Sequence, residues 1–86
     1  MKQYEKPLKA VANRRRLEII KYLKINKEAN VGEIAENIKL SFKATSKHLA
    51  VLLGADIVER EQRSLSAQFS LAPKLPVIVK SVIDML

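Results

Sequence analysis

The 86-residue sequence has no cysteine, no tryptophan, one histidine and only two glycines. Without cysteine the chain can form neither a disulfide nor a thiolate metal site, and a single histidine rules out a histidine metal cluster within one chain. No phosphate-cradling glycine loop and no nucleophile–base pair stand out. No apolar run approaches the roughly 20 residues of a membrane span, and residues 1–6 lack the apolar core of a signal peptide. We therefore expect a soluble, cytoplasmic protein that is not an enzyme and holds no metal or cofactor.

Positive charge is what the sequence has in excess. Sixteen lysines and arginines stand against nine acidic residues, which gives a formal net charge of +7. That excess favours a polyanionic partner, with nucleic acid first and an anionic membrane surface second. A hydrophobic content of 48% with regular periodicity indicates a folded chain, and its length suits one domain with one core.

Three short helices are predicted in the first half of the chain. The first covers residues 4–12, and the second begins after Asn13, whose side chain can cap it, and runs to about residue 25. A polar connector follows at residues 26–30. Apolar spacing then predicts a third helix at residues 31–38, with an acidic outer face that suits a supporting role.

The stretch at residues 42–54 predicts a longer helix with two contrasting sides. Ser41 can cap it, and its apolar side consists of Thr45, Leu49 and Leu52. A short helix, a tight turn and a longer helix with a cationic outer face form a helix-turn-helix over about residues 31–54. The candidates for reading DNA bases on this helix are Lys43, Thr45 at the inner margin, Ser46 and Lys47.

Two further side chains of this helix have a packing interpretation and a functional one. His48 lies at the edge of the buried side, so we expect it to pack and not to act as a pH switch. Phe42 leans toward the buried side at the helix N-terminus. Its ring can cap the core or contact a thymine methyl group, and we expect it to pack.

Three consecutive arginines open the second helix, where the helix dipole disfavours cations by roughly a few tenths of a kcal/mol each. A chain that accepts this arrangement has another use for the charge, such as a phosphate. Arg16 can lay its stem on the core near Ile20, so we assign it a structural role. Arg14 and Arg15 are expected to point outward, and together with Arg63 they are candidates for contacts to the DNA backbone; plain solvation is the alternative for each.

A hairpin and a final helix are predicted in the second half. Residues 57–61 and 67–71 alternate in polarity around a turn at 62–66, which predicts a β-hairpin wing over about residues 57–71. Pro73 and Pro76 mark the start of a terminal helix over about residues 74–86. That helix is too apolar to bury every side in one small core, so a second copy of the chain is favoured over a membrane surface. The predicted dimer interface comprises Leu8, Leu75, Ile78, Val79, Val82, Ile83 and Leu86.

Five segments, in order, resemble the ArsR-type transcriptional regulators. Residues 8–23, with an Arg-Leu pair followed by isoleucines and leucines, look like the opening pattern of that family, and residues 31–35 resemble its supporting helix. Residues 46–52, Ser-Lys-His-Leu-Ala-Val-Leu, are similar to its Ser-Arg-His-Leu-x-x-Leu recognition-helix signature. Residues 55–58 and 69–71 match the entry to the wing and its exit.

This order of elements is that of a single winged helix-turn-helix domain over residues 1–86, mainly α with a small β-hairpin (α-α-α-α-β-β-α). The resemblance implies a homodimer that pairs through terminal helices and represses transcription by binding operator DNA. Residues 30–32 stand where metal-sensing members carry cysteines, which argues against metal sensing, and Ser64 and Asp56 replace two usual glycines of the wing region. We therefore predict a repressor that binds palindromic double-stranded DNA through residues 42–54. The alternative is a winged-helix module that binds proteins and reads no DNA.

Overall fold

Five helices and three short strands build residues 2–86, the part of the chain that this computed structural model describes. The predicted order of elements is confirmed, with one added strand. Glu28 and Ala29 lie in the segment predicted as a polar connector, but they pair with the last strand of the wing. In chain order the elements are α1 (Lys2–Val11), α2 (Arg14–Asn26), β1 (Glu28–Ala29), α3 (Val31–Ile38), α4 (Phe42–Gly54), β2 (Val58–Arg63), β3 (Ser66–Leu71) and α5 (Val77–Asp84).

Side-chain caps determine where the three central helices begin. The predicted caps Asn13 and Ser41 each accept a hydrogen bond from a backbone N–H in the first turn of α2 and α4, both at 3.1 Å. Asn30 caps α3 in the same way, and Glu33 returns the bond to the backbone N–H of Asn30. These caps satisfy amide groups that have no partner within their own helices.

The core lies between the helices and one face of the sheet. Its largest buried side chains come from α2, α3, α4, the start of β2 and α5. Val79 and Ile83 of α5 belong to this core, so the prediction that they lie in a dimer interface is wrong: they have no surface left for a partner. The Nζ atom of Lys24 donates to the carbonyl oxygens of Ile83 and Asp84, at 3.1 and 3.4 Å, and so caps the end of α5.

The wing is a tight antiparallel hairpin with a short third strand on its other edge. The sheet order is β1-β3-β2, and Arg63 faces Ser66 across a two-residue turn of Ser64 and Leu65. Ser64 has φ of 55° and Asp56, where the chain leaves α4, has φ of 58°, so both hold the left-handed conformation that usually favours glycine. The five-residue turn predicted at 62–66 is therefore wrong, because the positive φ of Ser64 closes the hairpin within two residues.

Candidate nucleic-acid interface

Helix α4 is anchored on one side and free on the other. Leu49 and Leu52 are buried in the core, and α3 packs against α4 across a turn in which Lys39 has φ of 57°. Lys43 and Lys47, one turn apart, are exposed on the opposite side. Ser46 is half-buried beside them. The surface of Lys43, Ser46 and Lys47, which we call the reading face, therefore has the orientation expected from the sequence.

Thr45 does not belong to the reading face. Its side chain is fully buried, and its hydroxyl donates a 2.8 Å hydrogen bond to the carbonyl oxygen of Ser41, one turn earlier. A hydroxyl that bonds back to its own helix has no exposed atom to offer to a base edge. The prediction that Thr45 reads bases is therefore wrong, and its role is to hold the first turn of α4 against the core.

Phe42 is exposed, contrary to the packing role expected from the sequence. It is the first residue of α4, and 63% of its surface is accessible to solvent. Helical spacing places it toward the buried side, but its ring lies outside the core and outside the residues packed against the core. The expectation of packing is therefore wrong, and contact with a thymine methyl group stays a prediction. An angle on a helical wheel does not show how much of a side chain the tertiary structure covers.

Arg16 and His48 have the structural roles that the sequence predicted. The Nε atom of Arg16 donates to the carbonyl oxygen of Ala10 at 2.5 Å, and its Nη1 atom lies 3.2 Å from Nδ1 of His48. Burial lowers the pKa of His48 below its usual 6.5, and the positive charges of Arg16 and Arg15 lower it further. The imidazole of His48 is therefore neutral at pH 7, and its contact with Arg16 links α4 to the end of α1.

The other two arginines of this run differ sharply in exposure. The Arg14 side chain is 86% exposed and has only a 3.9 Å ion pair with Glu18. Arg15 instead donates to the carbonyl oxygen of Ile38, at 2.8 Å, and to Glu18, at 3.0 Å. The prediction that Arg15 points outward is therefore wrong, because its guanidinium ties α2 to the end of α3. Arg14 remains a candidate for contact with a phosphate.

Arg63 is held by two carboxylates at the base of the wing turn. It bonds to Glu28 of β1 and, at 3.0 Å, to Glu61 of its own strand. The hydrogen bonds to Glu61 and then Glu28 raise the pKa of Arg63, and its bond in turn lowers the pKa of Glu61. The three strands together carry three glutamates and two arginines, a formal charge of −1. The excess positive charge of the protein therefore lies outside the strands.

An apolar stripe runs along one side of α5, next to the side that enters the core. Ile78, Val82 and Met85 follow one another at helical spacing, and Met85 is 77% exposed. The remaining residues of the predicted interface, Leu8, Leu75 and Leu86, are half-buried. This stripe can pack against an apolar partner surface.

Residues 2–86 contain neither a metal-binding cluster nor a membrane-spanning helix. No three acidic or histidine side chains lie together in a way that could hold a metal ion. No helix in this range is both long and apolar enough to cross a bilayer.

Comparison with known proteins places the chain in a family. The transcriptional activator HlyU of Vibrio cholerae is 35% identical over 79 residues, which are 92% of this chain and 69% of HlyU. The structure of reduced HlyU matches with a TM-score of 0.83 and 33% identity, over 99% of this chain and 85% of that one.

Two further structures are similar. The transcriptional repressor PagR of Bacillus anthracis has a TM-score of 0.82 and 27% identity, over 98% of this chain and 92% of that one. The homodimeric winged helix-turn-helix DNA-binding domain Mb0332 from Mycobacterium bovis has a TM-score of 0.82 and 25% identity, over 98% and 74%. Residues 13–60 match the model of the bacterial regulatory proteins of the arsR family. The chain therefore belongs to the ArsR family of bacterial regulatory proteins and has a winged helix-turn-helix fold.

Proposed function

We propose that this protein is a homodimeric transcriptional regulator that binds a palindromic operator in double-stranded DNA through α4. The observation that carries the proposal is the reading face: Lys43, Ser46 and Lys47 project from a helix whose opposite side is locked into the core. Lysine can donate to guanine O6 and N7 in the major groove or to a phosphate, and serine can pair with either donors or acceptors on base edges. Arg14, exposed at the start of α2, would contact the DNA backbone. Arg63 of the wing would do so only when Glu28 and Glu61 release its guanidinium.

The whole of residues 1–86 acts as one domain in this proposal. Residues 31–54 form the helix-turn-helix, residues 57–71 the wing and residues 74–86 the dimerisation segment. We propose that the protein acts by binding DNA, that it is not an enzyme and uses no cofactor, and that it acts in the cytoplasm. We propose repression as the sign of regulation, which is the sign named for PagR; HlyU is named as an activator, and a reporter gene behind the operator decides between the two.

The dimer would form through the apolar stripe of α5 together with Leu8, Leu75 and Leu86. An isologous pair is two-fold symmetric, so the two reading faces would meet half-sites of opposite orientation. The half-sites would lie about 10 base pairs, or a small multiple of that, apart. The homodimeric state named for Mb0332 supports this arrangement.

Selection of bound sequences from a random duplex pool tests the proposal, followed by titration of the recovered duplex at 50 and 200 mM salt. If about six phosphates are neutralised, the affinity should fall on the order of a thousandfold between these two salt concentrations. Lys47→Gln should weaken binding strongly, whereas Lys80→Gln on α5 removes the same charge from another surface and should have little effect. Recovery of no preferred sequence, or binding that does not depend on salt, would overturn the proposal.

A further inference from the structure

Phe42 is a large apolar residue that the fold leaves exposed to solvent. Phenylalanine is among the residue types most often found inside proteins, yet this ring is 63% exposed and lies outside the core and the residues packed against it. It is also the first residue of α4. In helix-turn-helix proteins the N-terminal residues of this helix are the ones that contact base edges.

The surroundings of the ring place it on the flank of α4 that faces the wing. Phe42 and Ser46, one turn apart, line an open groove of about 540 Å³ together with Arg60 and Leu65 of the hairpin. Arg60 donates to Gln62 at 3.0 Å, which keeps its guanidinium on the wing side of the groove. The ring therefore stands next to the reading face, at the end of α4 that would enter the major groove first.

We propose that Phe42 contacts the 5-methyl group of a thymine and thereby selects thymine at one position of each half-site; this rests on the proposed function. The phenyl ring has no hydrogen-bond donor or acceptor in its plane, so it cannot read the polar pattern of a base. Thymine is the one base that presents a methyl group in the major groove, and apolar side chains recognise it by contact. Exposure of an apolar ring in the free protein is then explained by its burial on DNA.

The size of the effect follows from the area that one methyl group buries. Burial of a single methyl or methylene group corresponds to about a fourfold gain in affinity. A symmetric dimer makes the contact twice, so loss of both methyl groups should weaken binding about sixteenfold. Deoxyuridine is the probe of choice, because it lacks only this methyl group and keeps the base pairing and the O4 acceptor of thymine.

The experiment uses the full chain and the duplex recovered from selection. Each thymine of one half-site and its symmetric mate are replaced by deoxyuridine in turn, and each duplex is titrated with the wild type, Phe42→Ala and Ile25→Ala. Ile25, at the end of α2, is 66% exposed and provides a matched control for loss of an exposed apolar side chain. We expect one replacement to weaken the wild type and Ile25→Ala about sixteenfold and to leave Phe42→Ala unchanged. Phe42→Leu should retain part of the discrimination, because leucine still offers an apolar contact.

The outcomes separate this inference from the proposed function. If the duplex is bound but Phe42→Ala responds to every replacement as the wild type does, the inference fails and the proposed function stands. Absence of any thymine whose methyl group matters to the wild type has the same consequence. If no duplex is bound at all, the proposed function fails and takes the inference with it. Circular dichroism melting of Phe42→Ala, expected to match the wild type, excludes loss of folding as the cause of weaker binding.

Discussion

The guanidinium of Arg16 joins the end of α1 to the middle of α4 through His48. Its Nη1 atom lies 3.2 Å from Nδ1 of His48, while Nε and Nη2 donate to the carbonyl oxygens of Ala10 and Lys9. A guanidinium has only donors, so Nδ1 must accept and the imidazole must be neutral, with its proton on Nε2. Protonation of His48 would therefore break its contact with Arg16.

The first prediction is that acid weakens the fold through His48. Its pKa in the folded state is lowered by burial, Arg16 and Arg15, whereas in the unfolded chain it is about 6.5. The unfolded state therefore binds the proton first, so the contribution is fully present above about pH 6.5 and is lost as the pH falls toward the folded pKa. The slope cannot exceed one proton, or about 1.4 kcal/mol per pH unit.

Urea denaturation between pH 5.5 and 8 measures this effect above the range in which exposed carboxylates titrate. The His48→Gln variant keeps a side chain that can accept from Arg16 but does not titrate. We expect its free energy of unfolding to be flat over the range in which that of the wild type falls. Equal pH dependence of the two proteins would show that His48 does not carry it.

The second prediction separates Arg16 from Arg14 at the start of α2 by their contacts. Arg16→Met should lower the free energy of unfolding by about 1–3 kcal/mol, because it removes charged hydrogen bonds to the last carbonyl groups of α1 and to His48. Arg14→Met should change it by no more than about 0.5 kcal/mol, because an exposed ion pair at 3.9 Å contributes little. Chemical denaturation of both variants provides the comparison. A larger loss for Arg14 would contradict the structural assignment of Arg16.

Local features of the sequence were enough to predict most of the fold. Asn13 and Ser41 are capping residues whose effect reaches only three residues along the chain, so the starts of α2 and α4 could be predicted without knowledge of the rest. Strand β1 could not be predicted in this way. Two residues have no recognisable periodicity, and their pairing with Ser70 and Phe69 depends on a strand about 40 residues later.

The site was harder to predict than the fold because exposure depends on tertiary contacts. Arg15 reaches the carbonyl oxygen of Ile38, which lies 23 residues away in sequence, and no pattern near Arg15 indicates this bond. Phe42 is 63% exposed although its helical angle lies on the buried side, and nothing in the neighbouring sequence indicates this exposure. Thr45 is different, since its helical angle already placed it on the buried side of α4. Its assignment as a base reader ignored that signal.

The third prediction compares the buried hydroxyl of Thr45 with the hydroxyl of Ser46 on the reading face. Thr45→Val removes a buried hydroxyl while it keeps the shape of the side chain, and the carbonyl oxygen of Ser41 still accepts the backbone N–H of Thr45. No polar atom is left without a partner, so we expect a loss of about 1 kcal/mol in stability and no change in the preferred DNA sequence.

Ser46→Ala is the matched loss of a hydroxyl on the reading face. It should leave the free energy of unfolding within about 0.5 kcal/mol of the wild type and should alter DNA affinity or preference. Thermal melting and duplex titration of both variants give the two readouts. The assignment fails if Thr45→Val changes the preferred sequence and Ser46→Ala does not.

The fourth prediction distinguishes the apolar stripe of α5 from the core residues of the same helix. Ile78→Glu places a charge within the stripe and should convert the dimer to a folded monomer, because burial of an unpaired carboxylate in an interface is costly. Lys80→Gln changes the net charge by the same one unit at a residue paired with Asp84, and should leave the dimer intact. Val79→Ala should instead lower the stability of each subunit by about 2 kcal/mol.

Sedimentation equilibrium over a range of protein concentrations reports the oligomeric state of these variants. Unfolding of a dimer depends on protein concentration, so the melting temperature of the wild type should rise with concentration and that of Ile78→Glu should not. A dimer of normal affinity in Ile78→Glu would show that subunits pair through another surface.

The fifth prediction concerns the charge of the wing. Glu28 and Glu61 hold the guanidinium of Arg63 and more than neutralise it, so in the free protein the wing offers little attraction to a phosphate. Glu28→Gln combined with Glu61→Gln should release Arg63, raise the affinity for the recovered duplex and steepen the slope of log affinity against log salt by about 0.9, the value for one more neutralised phosphate.

Removal of two negative charges would also strengthen binding without any specific contact, so the pair of substitutions is repeated in an Arg63→Ala background. Because only a freed arginine can add a phosphate contact, the steeper slope should disappear in that background, and its persistence there would assign the gain to the overall charge of the protein.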